Sequence, residues 1–272
     1  SPILDIAAPA PSDRALAEAA QLARHRRLRP RICAPSESPC SPPRSAPPAA
    51  SAAAMNIFRF LGDLSHIVSF IILLHKIVKG KSVAGISLRT QELYMCVFCF
   101  RYIDLLWNFS SMYNWFLKIL FIGASGAIVY IMRFGAAQKA SYNADQDSFP
   151  IQYLLGPCAV LGLLINQDHW SLFEIVWAFS IYLEAVAILP QLFLLQKQGE
   201  VENLTSHYVA ALGAYRGLYL LNWIYRYATE EDYLQRIVWF SGLVQTALYV
   251  DFFYHYLESK KGGLNKAVKL PV

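Results

Sequence analysis

Apolar stretches interrupted by charges constrain this chain more than any other feature. Seven such stretches follow one another from residue 57 onward. Arg59, Asp63 and His66 fall in the first, and Arg101 and Asp104 in the second. Glu174 and Glu184 lie in the fifth, Arg216 and Arg226 in the sixth, and Asp251 in the seventh. A charge in hydrocarbon costs roughly 2.5–3.5 kcal/mol even on the mildest scale. Such groups usually face a polar interior and mark a binding site or a transport path. The sequence thus poses the question of what an arginine-rich interior holds.

The chain is 56% hydrophobic and only 16% charged, whereas soluble domains carry about 25% charged residues. A span needs about 20 mainly apolar residues. An all-α membrane protein is expected, with seven transmembrane helices near 57–77, 91–110, 115–134, 149–167, 171–195, 207–227 and 234–257. Short connections make them a compact bundle. Five cysteines are too few and too scattered for a disulfide framework. Cys96 and Cys99 form a C-x-x-C inside an apolar helix and read as packing thiols rather than a redox or metal pair. No cofactor is expected. The net charge of +5 implies no nucleic-acid partner, because no basic face with interleaved aromatics occurs.

Residues 1–54 are a different material, rich in Ala, Pro, Ser and Arg. That composition cannot bury a core and is expected to be disordered. Arg24, Arg26, Arg27, Arg29 and Arg31 resemble an organelle transit peptide. Asp5, Asp13, Glu18 and Glu37 argue against one, and no apolar signal core exists. Upstream translated sequence is favoured over a genuine leader, and the working domain is then 55–272.

Charge near the span ends sets the orientation. Lys76, Lys79, Lys81, Arg89, Arg133, Lys139, Lys197, Lys260, Lys261, Lys266 and Lys269 fall on one side. The other side has few basic residues and an acidic loop, Glu230, Glu231 and Asp232. The positive-inside rule places the first set in the cytosol. The C-terminus, with a Lys-rich tail from about residue 258, is then cytosolic. The end that begins at Met55 is lumenal.

An internal repeat is visible. Arg101-Tyr-Ile-Asp-Leu-Leu-Trp-Asn108 lies over Arg216-Gly-Leu-Tyr-Leu-Leu-Asn-Trp223, and Gly85-Ile-Ser87 over Asn203-Leu-Thr205. The second frame places His66 over Glu184. Helices one to three therefore read as a weak copy of helices five to seven, with helix four as a connector. Same-sense three-helix repeats are a known transporter plan, with the site between the halves near the midplane. Pro190-Gln191 would loosen helix five, since Pro removes a backbone bond.

Residues three, four or seven apart share one side of a helix. Arg59, Asp63 and His66 line up, as do Arg101, Asp104 and Asn108. Helix five offers Glu174, Trp177, Glu184 and Gln191. Helix six offers Arg216, Tyr219, Trp223 and Arg226, flanked by Tyr215 and Asn222. The bland reading pairs the charges internally: Arg101 with Asp104, Arg59 with Asp63, and Arg216 with Glu184. Buried pairs hardly stabilise a fold relative to packed apolar residues, so that reading is incomplete. Guanidinium groups are planar forks that match carboxylates. Arg101 lies mid-span, while Arg59 and Arg226 lie near the lumenal ends. This reads as a funnel for a ligand with several negative charges. Trp177 is a candidate partner for a ligand cation. His66 changes charge in the range where secretory compartments differ. Protonated His66 favours an anionic ligand, so affinity would rise as pH falls.

These same residues carry a family resemblance. The segments are Met55-Asn-Ile-Phe-Arg59, Gly62-Asp-Leu-Ser-His66, Ala84-Gly-Ile-Ser87, Arg101-Tyr-Ile-Asp104, Phe179-Ser-Ile-Tyr-Leu-Glu-Ala-Val-Ala-Ile-Leu-Pro-Gln191, Asn222-Trp223 and Asp251-Phe-Phe-Tyr254. Over the whole of 55–272 the chain resembles the KDEL receptor family, which retrieves endoplasmic-reticulum proteins. The resemblance implies a SWEET-like or PQ-loop-like seven-helix fold with two parallel three-helix repeats. It implies a ligand: the C-terminal Lys/His-Asp-Glu-Leu tail of escaped lumenal proteins, captured in the acidic cis-Golgi and released in the endoplasmic reticulum. Such tails are addresses read by receptors, and capture of a chain-end carboxylate recurs in recognition.

By the same resemblance, Arg101 with Tyr102 would take the terminal carboxylate, Arg59 the ligand glutamate and Arg226 its aspartate. Glu174, Trp177 and Asp104 would read the Lys or His four from the end. Tyr219, Asn222 and Trp223 would shape the wall. His66, with Glu184, Tyr215 and Arg216, would form a pH-sensitive lock. Asp251 would serve retrograde movement. Lys260, Lys261, Lys266 and Lys269 would meet the COPI coat, or equally anionic membrane lipid. No bond is broken, so no enzyme is expected. The alternative is a SWEET-like or PQ-loop-like transporter for a small solute, revealed by flux in liposomes. A G-protein-coupled receptor fits less well, since helix seven has no Asn-Pro-x-x-Tyr segment.

Overall fold

The computed structural model describes residues 56–106, 109, 111–230, 235–261, 263 and 267–270, and for Leu106 the backbone alone. The expected extension 1–54, Met55, Asn108, Glu231, Asp232 and Lys266 lie outside the described residues. The helices are α1 (Ile57–Lys79), α2 (Leu88–Arg101), α3 (Met112–Phe134), α4 (Ala136–Ser141), α5 (Gln152–Leu164), α6 (Leu172–Val186), α7 (Leu189–Gln198), α8 (Asn203–Thr229) and α9 (Arg236–Lys260). A 3-10 turn, Ile103–Leu106, follows α2. Two-residue strands β1 (Glu200–Val201) and β2 (Val268–Lys269) form one small antiparallel pair.

Helix starts follow local chemistry. Asn56, Ser87, Ser111 and Ser171 each accept a hydrogen bond from the backbone N–H three residues on, at α1, α2, α3 and α6. Such side chains satisfy donors that a first helical turn leaves open. Gly199 ends α7 with φ of 67°, the left-handed conformation that glycine adopts without penalty.

A helix overlies each of the seven expected stretches. Among the described residues, four segments are long and apolar enough to cross a membrane: Ile57–Lys79, Met112–Phe134, Leu172–Gln198 and Arg236–Lys260. The others depart for visible reasons. The second helix closes at Arg101 after 14 residues, so Asp104 sits in the 3-10 turn rather than on the helix face. Arg101 is thus a helix terminus, not a mid-helix residue. The fourth stretch is a helix of 13 residues with Pro157 inside it.

The fifth stretch breaks at Ala187–Ile188, just ahead of Pro190. The break is bridged from outside. Gln191 N–H donates to Thr90 Oγ1, its Oε1 accepts from Ser87 N–H, and its Nε2 donates to Gly85 O. Gln191 therefore pins the loop before α2 and does not face the charged interior. The same loop is held by Asp147, which accepts from Ser87 Oγ and Tyr142 Oη.

Charged side chains sit inside the bundle beside an apolar core, and many large apolar side chains face outward. Ile57, Phe60, Leu64, Ile71 and Val78 of α1 are exposed, while Arg59, Asp63, His66 and Lys76 of the same helix are buried. That inversion suits a lipid-facing bundle, where charged residues turn inward. α1 packs on α8 and α3; α2 packs on α3, α6 and α7; α9 closes against α8 and α6. At the lysine-rich end, Lys76 Nζ donates to Glu202 and Thr205. The C-terminal segment folds back there: β2 pairs with β1, Leu270 N–H donates to Gly199 O, and Val268 is fully buried.

Candidate functional site

Helices α1, α2, α3, α6 and α8 bring most of the sequence-predicted residues to one buried interior. Its centre is Glu184 on α6. Its Oε1 accepts from Tyr215 Oη at 2.6 Å, and its Oε2 lies 3.0 Å from Arg101 Nη1 and 3.6 Å from Arg216 Nη2. Arg101 Nε donates to Ser180 Oγ at 2.7 Å. The expected Arg216–Glu184 pair is therefore present. The expected Arg101–Asp104 pair is not the one observed: Arg101 turns to Glu184, and Asp104 is held by Lys118. The cause is the end of α2 at Arg101, which puts Asp104 past the helix and beside α3.

His66 is buried next to this cluster. Its ring stacks on Tyr215, with centroids 4.2 Å apart and planes 10° apart, and on Phe121 at 4.5 Å. Its Nδ1 has no hydrogen-bond partner among the described residues. Among the described residues, the charged groups that act on it are Glu184 and Arg216. His66 and Glu184 thus meet through Tyr215, which stacks on one and donates to the other.

A second layer lies toward the N-terminal end of α1. Asp63 accepts from Tyr113 Oη at 2.7 Å and from Tyr219 Oη. Arg59 Nη2 donates to Asn114 Oδ1 at 3.2 Å. Asn56 Nδ2 donates to Asn222 Oδ1 at 2.6 Å, which ties the start of α1 to α8. Trp223 is buried, and the Arg216 guanidinium lies 5.6 Å from its ring centroid. Arg226 forms a forked pair with Glu230, both N···O distances being 2.8 Å. It therefore carries a carboxylate partner of its own, four residues on in the chain.

Several buried polar atoms have no hydrogen-bond partner among the described residues. They include Arg101 Nη2, Tyr102 Oη, Glu174 Oε1, Trp177 Nε1, Arg216 Nε and Trp223 Nε1. Buried polar groups are normally satisfied, so each exception calls for an explanation. Many of the exceptions fall on residues already singled out by charge and spacing, and Ser125, Asn166, Gln235, Trp239, Ser241 and Gln245 account for the rest. Donors dominate among them, which fits an acceptor-rich, anionic ligand.

The remaining residues divide cleanly. Asp251 is exposed on α9, 3.8 Å from His255, and lines a cavity of about 60 Å³ with Leu192, Gln196, Leu248, Phe252 and Leu270. It lies apart from the charged interior. Lys260 Nζ donates to Asn203 Oδ1; Lys261 and Lys269 are exposed.

A family model for the ER lumen protein retaining receptor matches residues 82–226. The ER lumen protein-retaining receptor A of Arabidopsis thaliana is 57% identical over 217 residues, covering 80% of this chain and 100% of the relative. The receptor of Drosophila melanogaster is 53% identical and that of Petunia hybrida 50%, each over 217 residues with the same coverage. The chain belongs to the ER lumen protein-retaining receptor family. It is a membrane receptor and not an enzyme.

Further polar residues lie buried in the receptor. Lys118 on α3 is buried and bonded to both oxygens of Asp104. The depth rule that found the other charges finds Lys118 as well, since it sits inside the third apolar stretch. Ser241 and Gln245, one turn apart on α9, are buried, and neither Gln245 amide atom has a partner among the described residues.

Gly242 lies between them, under the Trp223 ring. A Cβ there would fall 2.1 Å from Trp223 Cζ3 and 2.6 Å from Cη2. Overpacking of this kind costs about 1–3 kcal/mol. Gly242→Ala in the receptor is therefore expected to lower the thermal unfolding midpoint in detergent by several degrees. Gly217→Ala, where a Cβ meets nothing within 4 Å, is the control and should leave the midpoint unchanged or raised.

Proposed function

We propose that this receptor binds the C-terminal Lys- or His-headed Asp-Glu-Leu tail of escaped endoplasmic-reticulum proteins and returns them from the Golgi. The observation that carries the reading is the gathering of Arg59, Arg101 and Arg216 in one interior, with Arg101 Nη2 and Tyr102 Oη lacking hydrogen-bond partners among the described residues. The tail supplies an Asp, a Glu and a terminal carboxylate. Arg101 and Tyr102 take the terminal carboxylate, Arg59 the glutamate, and Arg226 the aspartate after releasing Glu230. Glu174, Trp177 and Asp104 meet the cationic head. Tyr219, Asn222 and Trp223 form the wall.

The bundle crosses the membrane seven times as two parallel three-helix repeats joined by α5, in the SWEET and PQ-loop manner. Residue 56 faces the lumen, and the lysine-rich end with β1 and β2 faces the cytosol. Asp251 serves retrograde movement, and Lys260, Lys261, Lys266 and Lys269 serve contact with the COPI coat or with anionic lipid.

His66, with Glu184, Tyr215 and Arg216, is the pH-sensitive lock. A bound anionic tail favours the imidazolium, and by linkage protonation favours the tail. Affinity therefore rises as pH falls through the histidine range and weakens toward neutrality. Purified receptor titrated with a Lys-Asp-Glu-Leu peptide from pH 5.5 to 7.5 is expected to bind about tenfold or more tightly at the acid end, the size of one modest coupling energy. Binding that is independent of pH would overturn the retrieval cycle.

A further inference from the structure

We propose that Lys118 is a built-in occupant of the Asp104 carboxylate and sets how strongly the receptor reads the cationic head of its ligand. The inference rests on the tail-binding reading above, and it names a residue that the reading does not use.

The geometry is specific. Lys118 Nζ lies 3.0 Å from Asp104 Oδ1 and 2.9 Å from Oδ2, so the ammonium straddles the carboxylate. The Lys118 side chain is 2% exposed and that of Asp104 11%. The ammonium also stands 5.8 Å from the Tyr102 ring centroid. Tyr102 in turn stacks on Phe98, with planes 4° apart. One face of the ion pair is thus walled by aromatic groups, while the carboxylate keeps a little access.

A lysine in an apolar helix is not held there by packing. It stays charged only where a carboxylate compensates it. Asp104 does so, and by the same act gives up most of its own field. A cationic head arriving at Asp104 therefore meets a nearly neutral pair. The other acid assigned to the head is Glu174, whose buried Oε1 has no hydrogen-bond partner among the described residues. The head is then read mainly by Glu174 and Trp177, and Lys118 competes with it for Asp104. Such competition tempers the preference for a cation and lets heads of different charge share one receptor.

Peptides ending in Lys-Asp-Glu-Leu and Ala-Asp-Glu-Leu separate this effect from general affinity. The quantity measured is the ratio of their dissociation constants at one pH. Lys118→Gln uncovers the Asp104 charge, and the ratio is expected to grow about tenfold in favour of the lysine head, the scale of one partly solvated charge contact. A ratio within twofold of the unaltered receptor, in a protein with an intact melting transition, overturns the proposal. If Lys118→Gln does not fold, the paired change Asp104→Asn with Lys118→Gln carries the test. It removes both charges together, so the ratio is expected to stay close to that of the unaltered receptor. A tenfold fall would mean that Asp104 reads the head at full strength despite Lys118, and would equally overturn the proposal. Failure of the unaltered receptor to bind either peptide strikes the tail-binding reading itself, a different result from an unmoved ratio.

Discussion

Alanine in place of Arg101 is expected to abolish binding of a Lys-Asp-Glu-Leu peptide at pH 5.5 as well as at pH 7.5. The side chain holds two of its three nitrogens in place, Nε on Ser180 and Nη1 beside Glu184, and leaves Nη2 without a partner among the described residues. A fork fixed in this way is prepared for a carboxylate, because little rotamer freedom remains to be lost on binding. Truncating one partner of a buried charge pair costs about 2–5 kcal/mol, more than enough to lose a micromolar ligand. Glu184 keeps Arg216 and Tyr215 in the variant, so the bundle should still fold. Isothermal titration with detergent-purified protein checks the result. Retained acid-pH binding by a folded Arg101→Ala receptor would count against the assignment of the terminal carboxylate.

Replacing Glu184 by alanine is expected to cost more in stability than any other single change discussed. Arg101 and Arg216 both turn to its Oε2, and Tyr215 donates to its Oε1. All four side chains are at least nine-tenths buried. Without the carboxylate, two guanidinium groups confront each other in a dry interior. Removing one partner of a buried ion pair costs about 3–5 kcal/mol, and here one carboxylate serves two cations. Loss of most folded protein, or a fall of the melting transition by ten degrees or so, is the expected outcome. Glu184→Gln should be milder, because the amide can still accept from Tyr215. A melting midpoint that does not move in Glu184→Ala would show that the arginines find other partners.

The interior was legible in the sequence because charge at membrane depth has few explanations. That single rule located Arg59, Asp63, His66, Arg101, Glu184 and Arg216, all buried in the structure. The partners were less legible. Asp104 reaches Lys118 only because α2 stops at Arg101 and the chain turns through Ile103–Leu106 toward α3. Helical spacing carried past that stop puts Asp104 on the wrong surface. Pro190 signalled a weak point in the fifth stretch, yet the bridging of the gap by Thr90 and Gln191 depends on a contact about a hundred residues away. Gln191 accordingly looked like a lining residue and is a clasp. Gln245 went unseen because a lone amide in an apolar helix carries no charge to betray it. The pairing of residues 200–201 with 268–269 also joins segments far apart in the sequence and is too short to leave a periodic trace.

That small strand pair has a practical consequence for reagents. An antibody raised against the tail as a free peptide is selected on an extended, fully solvated epitope. In the intact protein, Val268 is covered and the backbone of Leu270 is already engaged by Gly199. Such an antibody would have to peel the strand away first. Its staining would then report how often the tail detaches rather than how much protein is there.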